Sequence, residues 1–307
     1  MVKKLFYHRI SWKISKVIKY IMYYKFEEIW LISKKIMENL REEILELRRN
    51  AFVETIMGLD SEKYIIGYLG RTIPKEIFYG FDLVPLPLDG VDKYILEYSN
   101  EKDLCSIIDS TLTYAMTKKC PLLYNAKLLV VDNSCPLLLK VLKDNLKDKV
   151  FFYDGNLENL KNRVEEVYNR DFSETNFLKA VELSKNISSK LEKLSKTDIE
   201  SRFLYEVEFY TQFIFSLEEK NNMIDRVLSN FKDVNKKRQK IYVPRAIQIL
   251  DDIDEKYKDY QIIENFCLGE IFKTYKSSGY EFLKEKYNNK KTKKLDILYQ
   301  DCPYDNK

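Results

Sequence analysis

The sequence predicts an α/β protein: a doubly wound parallel-sheet lobe, a helical linking region and a second, incomplete α/β lobe. Three observations carry this. Short apolar runs alternate with helix-like segments between residues 60 and 155. Residues 156–243 contain neither glycine nor proline. Strand character then returns near residue 240. Strands separated by helices imply a parallel sheet with both faces covered.

Residues 1–59 read as N-terminal helices, with Ile10, Ile14, Val17, Ile18 and Ile21 at helical spacing. Met1 to Phe26 carries seven Lys or Arg and no acid. That face is either solvated surface or a surface for an acidic partner or anionic membrane. The first α/β lobe is placed at 60–155. Tyr64–Tyr68 is its first strand, and Pro74 opens a short helix with proline in the first turn. Leu83–Leu88 is a proline-interrupted extended segment. Lys127–Asp132 is a buried strand, Leu137–Leu146 a helix, and Val150–Tyr153 the next strand. Residues 156–239 form the helical linker, as several helices or a coiled coil. Residues 240–307 begin a second lobe with strands Lys240–Val243 and Gln261–Glu264, a helix near 246–258 between them, and Leu295–Tyr299 as a further strand.

Composition excludes several function classes. Lys and Arg number 52 against 48 acids, so the net charge of +4 is too small for a nucleic-acid polycation. No apolar run reaches the roughly 18 residues of a membrane span. The single histidine, His8, argues against Ser-His-Asp and Cys-His catalysis. The eight glycines form neither a dinucleotide fingerprint nor a P-loop. The five cysteines are widely spaced, form no C-x-x-C pair and follow no secretory signal. Reduced thiols in a cytoplasmic protein are expected.

Cysteines are therefore the leading chemical candidates. Cys135 follows the strand ending near Val131 and opens a helix. Ligands bind at the carboxyl ends of strands in open parallel sheets, and a helix N-terminus favours the metal-binding thiolate. The alternative is a buried structural cysteine. Cys105 also sits where a loop enters a helix, and the two could converge on a soft-ligand cofactor such as an iron–sulfur cluster.

The segment Gly67–Leu86, with Pro74-Lys75-Glu76-Ile77 and Val84-Pro85, resembles a hallmark of the 2-hydroxyacyl-CoA dehydratase D-component family, which includes benzoyl-CoA reductase subunits and double-cubane-cluster proteins. Leu104-Cys105, Ser134-Cys135 and the Glu264–Glu270 stretch around Cys267 match later parts of its pattern. The resemblance implies two α/β lobes joined by helices, and a [4Fe-4S] cluster held by Cys105, Cys135 and a third cysteine, for which Cys267 and Cys302 are the candidates. It implies a hydro-lyase subunit working on an acyl-CoA. An ATP-dependent activator, itself an iron–sulfur protein, would inject an electron for radical elimination of water. A second dehydratase subunit or a homo-oligomer would complete the assembly. Arg71 would meet a CoA phosphate or pair on the surface; Glu76 would orient a ligand or cap its helix. The family's late elements find no match, so the second lobe is expected to be cut short. The other reading is a non-catalytic, cluster-free interaction or scaffold subunit of the same descent.

Overall fold

A computed structural model describes residues 34–57, 64–88, 93–99, 104–243, 260–264 and 273–287. The basic segment 1–26, the 246–258 helix, the 295–299 strand, Cys267 and Cys302 lie outside the described residues. Helix α1 covers residues 34–57. The chain divides into two compact units, residues 1–44 and 45–307, and the fold below belongs to the second.

Four strands form one parallel sheet: β1 (Tyr64–Leu69), β2 (Leu83–Pro87), β3 (Leu129–Val131) and β4 (Val150–Phe152), in the order β2-β1-β3-β4. Gly67 of β1 pairs with Leu86 on one side and Leu129 on the other, which fixes the register. Pro85 and Pro87 lack a backbone donor, and β2 accordingly lies at an edge. The apolar runs are nearly continuous because both faces are buried. Ile65, Leu69, Val84, Leu86, Leu129 and Val131 face one core; Ile66, Tyr68, Leu83, Leu128 and Val130 face the other.

Helices cover both faces. The crossover from β2 to β3 contains α3 (Lys93–Leu96), α4 (Ser106–Thr117) and α5 (Pro121–Asn125), and α6 (Pro136–Asn145) connects β3 to β4. Residues of α4, α5 and α6 fill the first core. Helices α2 (Glu76–Gly80), α7 (Leu157–Tyr168) and α8 (Glu174–Leu194) fill the second. Asn156 caps α7 and Ser173 caps α8, each accepting a first-turn N–H, as their residue types predict. The glycine-free stretch thus forms separate helices and no coiled coil. Helix α8 buries Phe177, Val181, Ile187 and Leu191 at helical spacing and packs on α2 and on α10 (Leu217–Leu228). Between them lie α9 (Ser201–Tyr210) and a short 3₁₀ turn, Thr211–Phe213.

Strands β5 (Lys240–Val243) and β6 (Gln261–Glu264) pair in parallel as a separate sheet, and Ile262 joins the first core. The last described helix, α11 (Gly279–Tyr287), inserts Phe282 and Leu283 into the second core. The sequence grouped residues 273–287 with the second lobe; their apolar side chains are buried against the first.

One buried phenol ties the sheet to α7. Tyr168 donates to the Ile65 carbonyl at 2.7 Å and accepts from the Leu128 amide at 3.2 Å, bridging β1 to the start of β3. Burial pushes its phenol far above the ordinary tyrosine value, so it stays protonated and able to donate. Tyr168→Phe would leave both backbone groups short of a partner, at about 1–3 kcal/mol. Chemical denaturation should show that loss, and a change below about 0.5 kcal/mol would mean that water replaces the phenol.

Candidate functional site

The strand order reverses between β1 and β3, so the crevice at their carboxyl ends is the topological switch point. Two short loops meet there: Gly70-Arg71-Thr72 after β1 and Asp132-Asn133-Ser134-Cys135 after β3. Asp132 joins them. Its Oδ2 accepts from the Thr72 amide and the Thr72 hydroxyl, both at 2.7 Å, and its Oδ1 accepts from the Ser134 amide at 2.7 Å. Ser134 Oγ in turn accepts from the Arg71 amide at 3.2 Å. Asp132 is 2 % exposed. Such saturation with donors offsets the cost of burying a carboxyl group.

Cys135 is the N-cap residue of α6, with extended backbone and Pro136 at the first helical position. Cys105 is likewise the N-cap residue of α4. Neither side chain makes a capping hydrogen bond. Both cysteines are half-buried and pack against the first core. Helices α4 and α6 pack against each other on the same face of the sheet. Helix α6 follows β3 directly, so its N-terminus lies at the carboxyl end of that strand. No acid sits in the first turn of α6, whereas Asp109 occupies that of α4 and accepts from the Ser99 hydroxyl at 2.5 Å. The field at the start of α6 thus favours an anionic sulfur.

Cys120 is a different kind of cysteine. It is 5 % exposed, and its Sγ accepts from the Leu123 amide at 3.5 Å as the cap of α5. Among the described residues, no three His, Cys, Asp or Glu side chains are grouped to hold a metal ion. Among the described residues the half-buried thiols are thus two helix-start cysteines, on helices that pack against each other. In type they suit a thiolate-held cluster, which takes up to four such ligands.

The other sequence candidates are now placed. Arg71 is half-buried in the β1 loop, with its amide bound by Ser134. Glu76 is the first residue of α2 and 1 % exposed. Its carboxylate does not cap: Lys286 Nζ donates to Oε1 at 3.0 Å and Tyr287 Oη to Oε2 at 2.9 Å. Glu76 therefore anchors α11. Asn133 and Ser134 precede the cap, and Ser134 serves the Arg71 loop. Sequence reasoning missed Asp132 and Gly70 as parts of the site. The signal was present: an acid directly after a buried strand at the carboxyl edge.

Among the described residues no helix is long and apolar enough to cross a membrane. No curated protein matches the chain. The family model for the 2-hydroxyglutaryl-CoA dehydratase D-component matches residues 72–301. That range includes the β1 loop from Thr72 onward, both cap cysteines and Asp132. With well over half of its length matched, the chain belongs to the 2-hydroxyglutaryl-CoA dehydratase D-component family.

Proposed function

We propose that the chain is an iron–sulfur subunit of a 2-hydroxyacyl-CoA dehydratase. One observation carries the reading: in a chain of this family, Cys105 and Cys135 begin two helices that pack against each other on one face of a parallel sheet. In this reading the two thiolates hold two corners of a [4Fe-4S] cluster. Cys267 lies inside the family match and Cys302 just beyond it, which favours Cys267 as the third ligand. When bound, the cluster would supply a low-potential electron for radical elimination of water from a 2-hydroxyacyl-CoA. The electron would come from an ATP-dependent iron–sulfur activator, and a second subunit or second copy would complete the site.

The chain's own residues would do three things. Asp132 holds the β1 and β3 loops at a fixed separation through its three accepted hydrogen bonds. The N-termini of α4 and α6 stabilise anionic sulfur. Arg71, between Gly70 and Thr72, places a cation beside the crevice for an anionic part of the substrate. With one histidine in the chain, proton movement would fall to carboxylates, hydroxyls or water.

The test is iron and acid-labile sulfide in protein purified without oxygen. Cys105→Ser and Cys135→Ser are expected to lose most bound iron while keeping their far-UV circular dichroism. Cys120→Ser should keep its iron, because serine can take over the α5 cap. Cys267→Ser should lose iron and Cys302→Ser should not. An iron-free wild-type protein with a stable fold would favour the cluster-free scaffold reading.

A further inference from the structure

One surface, around the ends of α3, α4 and α5, combines bulky exposed side chains with positive charge. Tyr94, Tyr98, Met116 and Tyr124 are all exposed, by 42 % to 61 %. Tyr94 and Tyr98 stand edge to face with ring centroids 5.4 Å apart and hydroxyls 2.8 Å apart. Lys119 Nζ lies over both rings, 3.0 Å from the Tyr98 centroid and 5.6 Å from that of Tyr94. Lys149 Nζ lies 6.0 Å from the Tyr124 ring and donates to the Tyr124 carbonyl at 3.0 Å. Burial lowers the Lys149 pKa, and the charge of Lys118 lowers it further. Lys118 and Lys119, adjacent in the chain, therefore join the two tyrosine groups into one surface.

The three lysines have no counter-charge of their own. None of them forms an ion pair among the described residues. Glu97, whose charge acts on Tyr98, pairs with none of them. Cations at helix C-termini are favoured by the helix dipole. That accounts for Lys149, which also donates to the Leu123 carbonyl at the end of α5. It leaves Lys119, whose ammonium sits on tyrosine rings. Lys118 adds a second oddity. It is the C-cap of α4 with φ 56°, a left-handed conformation that favours glycine or asparagine. The other non-glycine residues with positive φ among the described residues are Asp82, Asn169 and Asn235. A lysine is thus kept where the backbone disfavours it.

Adjoining exposed apolar side chains mark interaction surfaces. Tyrosine and methionine are enriched at interface centres, and charge around them steers a partner of opposite sign. Rings already held against each other lose little freedom when a partner covers them. We infer that this surface docks a partner protein that presents carboxylates. Tyr94, Tyr98, Met116 and Tyr124 form the covered centre, and Lys118, Lys119 and Lys149 meet the acidic side chains. A nucleic acid fits less well. The net charge is only +4, and the Lys119 and Lys149 ammonium groups fold onto rings and carbonyls instead of spacing out along a phosphate backbone.

The inference goes beyond the dehydratase reading, and its test does not depend on iron. The full chain is made in its own cells with a photo-reactive benzophenone amino acid in place of Tyr124 or, as a control, of Leu178, an exposed residue of α8. The Tyr124 position should cross-link one protein through a peptide that carries Asp or Glu. The protein so identified is then titrated with the purified full chain by calorimetry. Raising the salt concentration should weaken binding, because exposed charge pairs are screened. Tyr98→Ala should raise Kd by about tenfold. Lys118→Gly separates docking from folding: it relieves the left-handed residue, so the melting temperature should not fall, yet Kd should rise by about threefold. Lys284→Gln, which alters an exposed lysine of α11, should leave Kd unchanged. A Tyr124 yield no higher than that at Leu178, a product removed by nuclease, or a cross-linked peptide without an acid would each overturn the inference. A Kd that neither salt nor Lys118→Gly moves would overturn it as well.

Discussion

Glu76→Gln is expected to destabilise the folded chain by about 3 kcal/mol. Glu76 and Lys286 form an ion pair at 3.0 Å, with side chains only 2 % and 5 % exposed. Glutamine keeps the shape and the hydrogen-bonding capacity but removes the charge. The Lys286 ammonium would then lose the counter-charge that Glu76 supplies, and breaking one side of such a pair costs about 3–5 kcal/mol. The lower end applies because a polar cavity beside Lys286 lets water reach the ammonium. Pairing Glu76→Gln with Lys286→Met should recover most of the loss, since the buried charge is then gone. Urea unfolding of the two single variants and the double variant gives the coupling directly. A coupling energy below about 0.5 kcal/mol would mean that the pair is solvated in solution. The loss should appear first in α11. Hydrogen exchange of residues 279–287 should rise in Glu76→Gln before that of the central strands.

That pair also shows why part of the fold could not be read from the sequence. Each partner has an ordinary local setting: Glu76 begins a helix after Pro74-Lys75, and Lys286 sits in a Lys- and Tyr-rich helix end. Nothing near either residue announces a partner 210 positions away. The strands are the opposite case. Tyr64–Leu69, Leu83–Pro87 and Leu129–Val131 are apolar at nearly every position because both sheet faces are covered. A continuous apolar run with turn residues at its ends is a local signal. The same holds for the two cap cysteines. Pro136 marks the first position of α6, and Cys135 before it could be placed without tertiary information. The acid that organises the crevice sits at the end of the strand pattern and reads like a turn residue. Its role emerges only when β1 and β3 become neighbours, since its donors come from residue 72 as well as residue 134.

Gly70→Ala is expected to cost about 4–6 kcal/mol, a large part of the 5–15 kcal/mol that holds a typical protein folded. Two separate effects add. Gly70 has φ +148°, a backbone conformation that L-residues rarely adopt, worth about 1–3 kcal/mol. A Cβ there would also lie 2.2 Å from the Asp132 carboxyl carbon, far inside contact distance. Asp132 cannot yield easily, because moving it stretches the bonds from Thr72 and Ser134. Hydrogen bonds to a charged group are worth about 1.5–3 kcal/mol each. The two effects can be separated. With Asp132 replaced by glycine the clash disappears, and Gly70→Ala should then add only its backbone cost of about 1–3 kcal/mol. Thr72→Val, which removes one of the three donors and little else, is a milder probe. It should fold, lose about 1–2 kcal/mol, and loosen the loop that carries Arg71. If the crevice between β1 and β3 is also where the cap cysteines hold iron, Thr72→Val should lower iron retention under chelator challenge more than its stability loss explains. A Gly70→Ala protein within 1 kcal/mol of wild type would mean that Asp132 does not clamp the two loops in solution, and the switch-point site would need a different organiser.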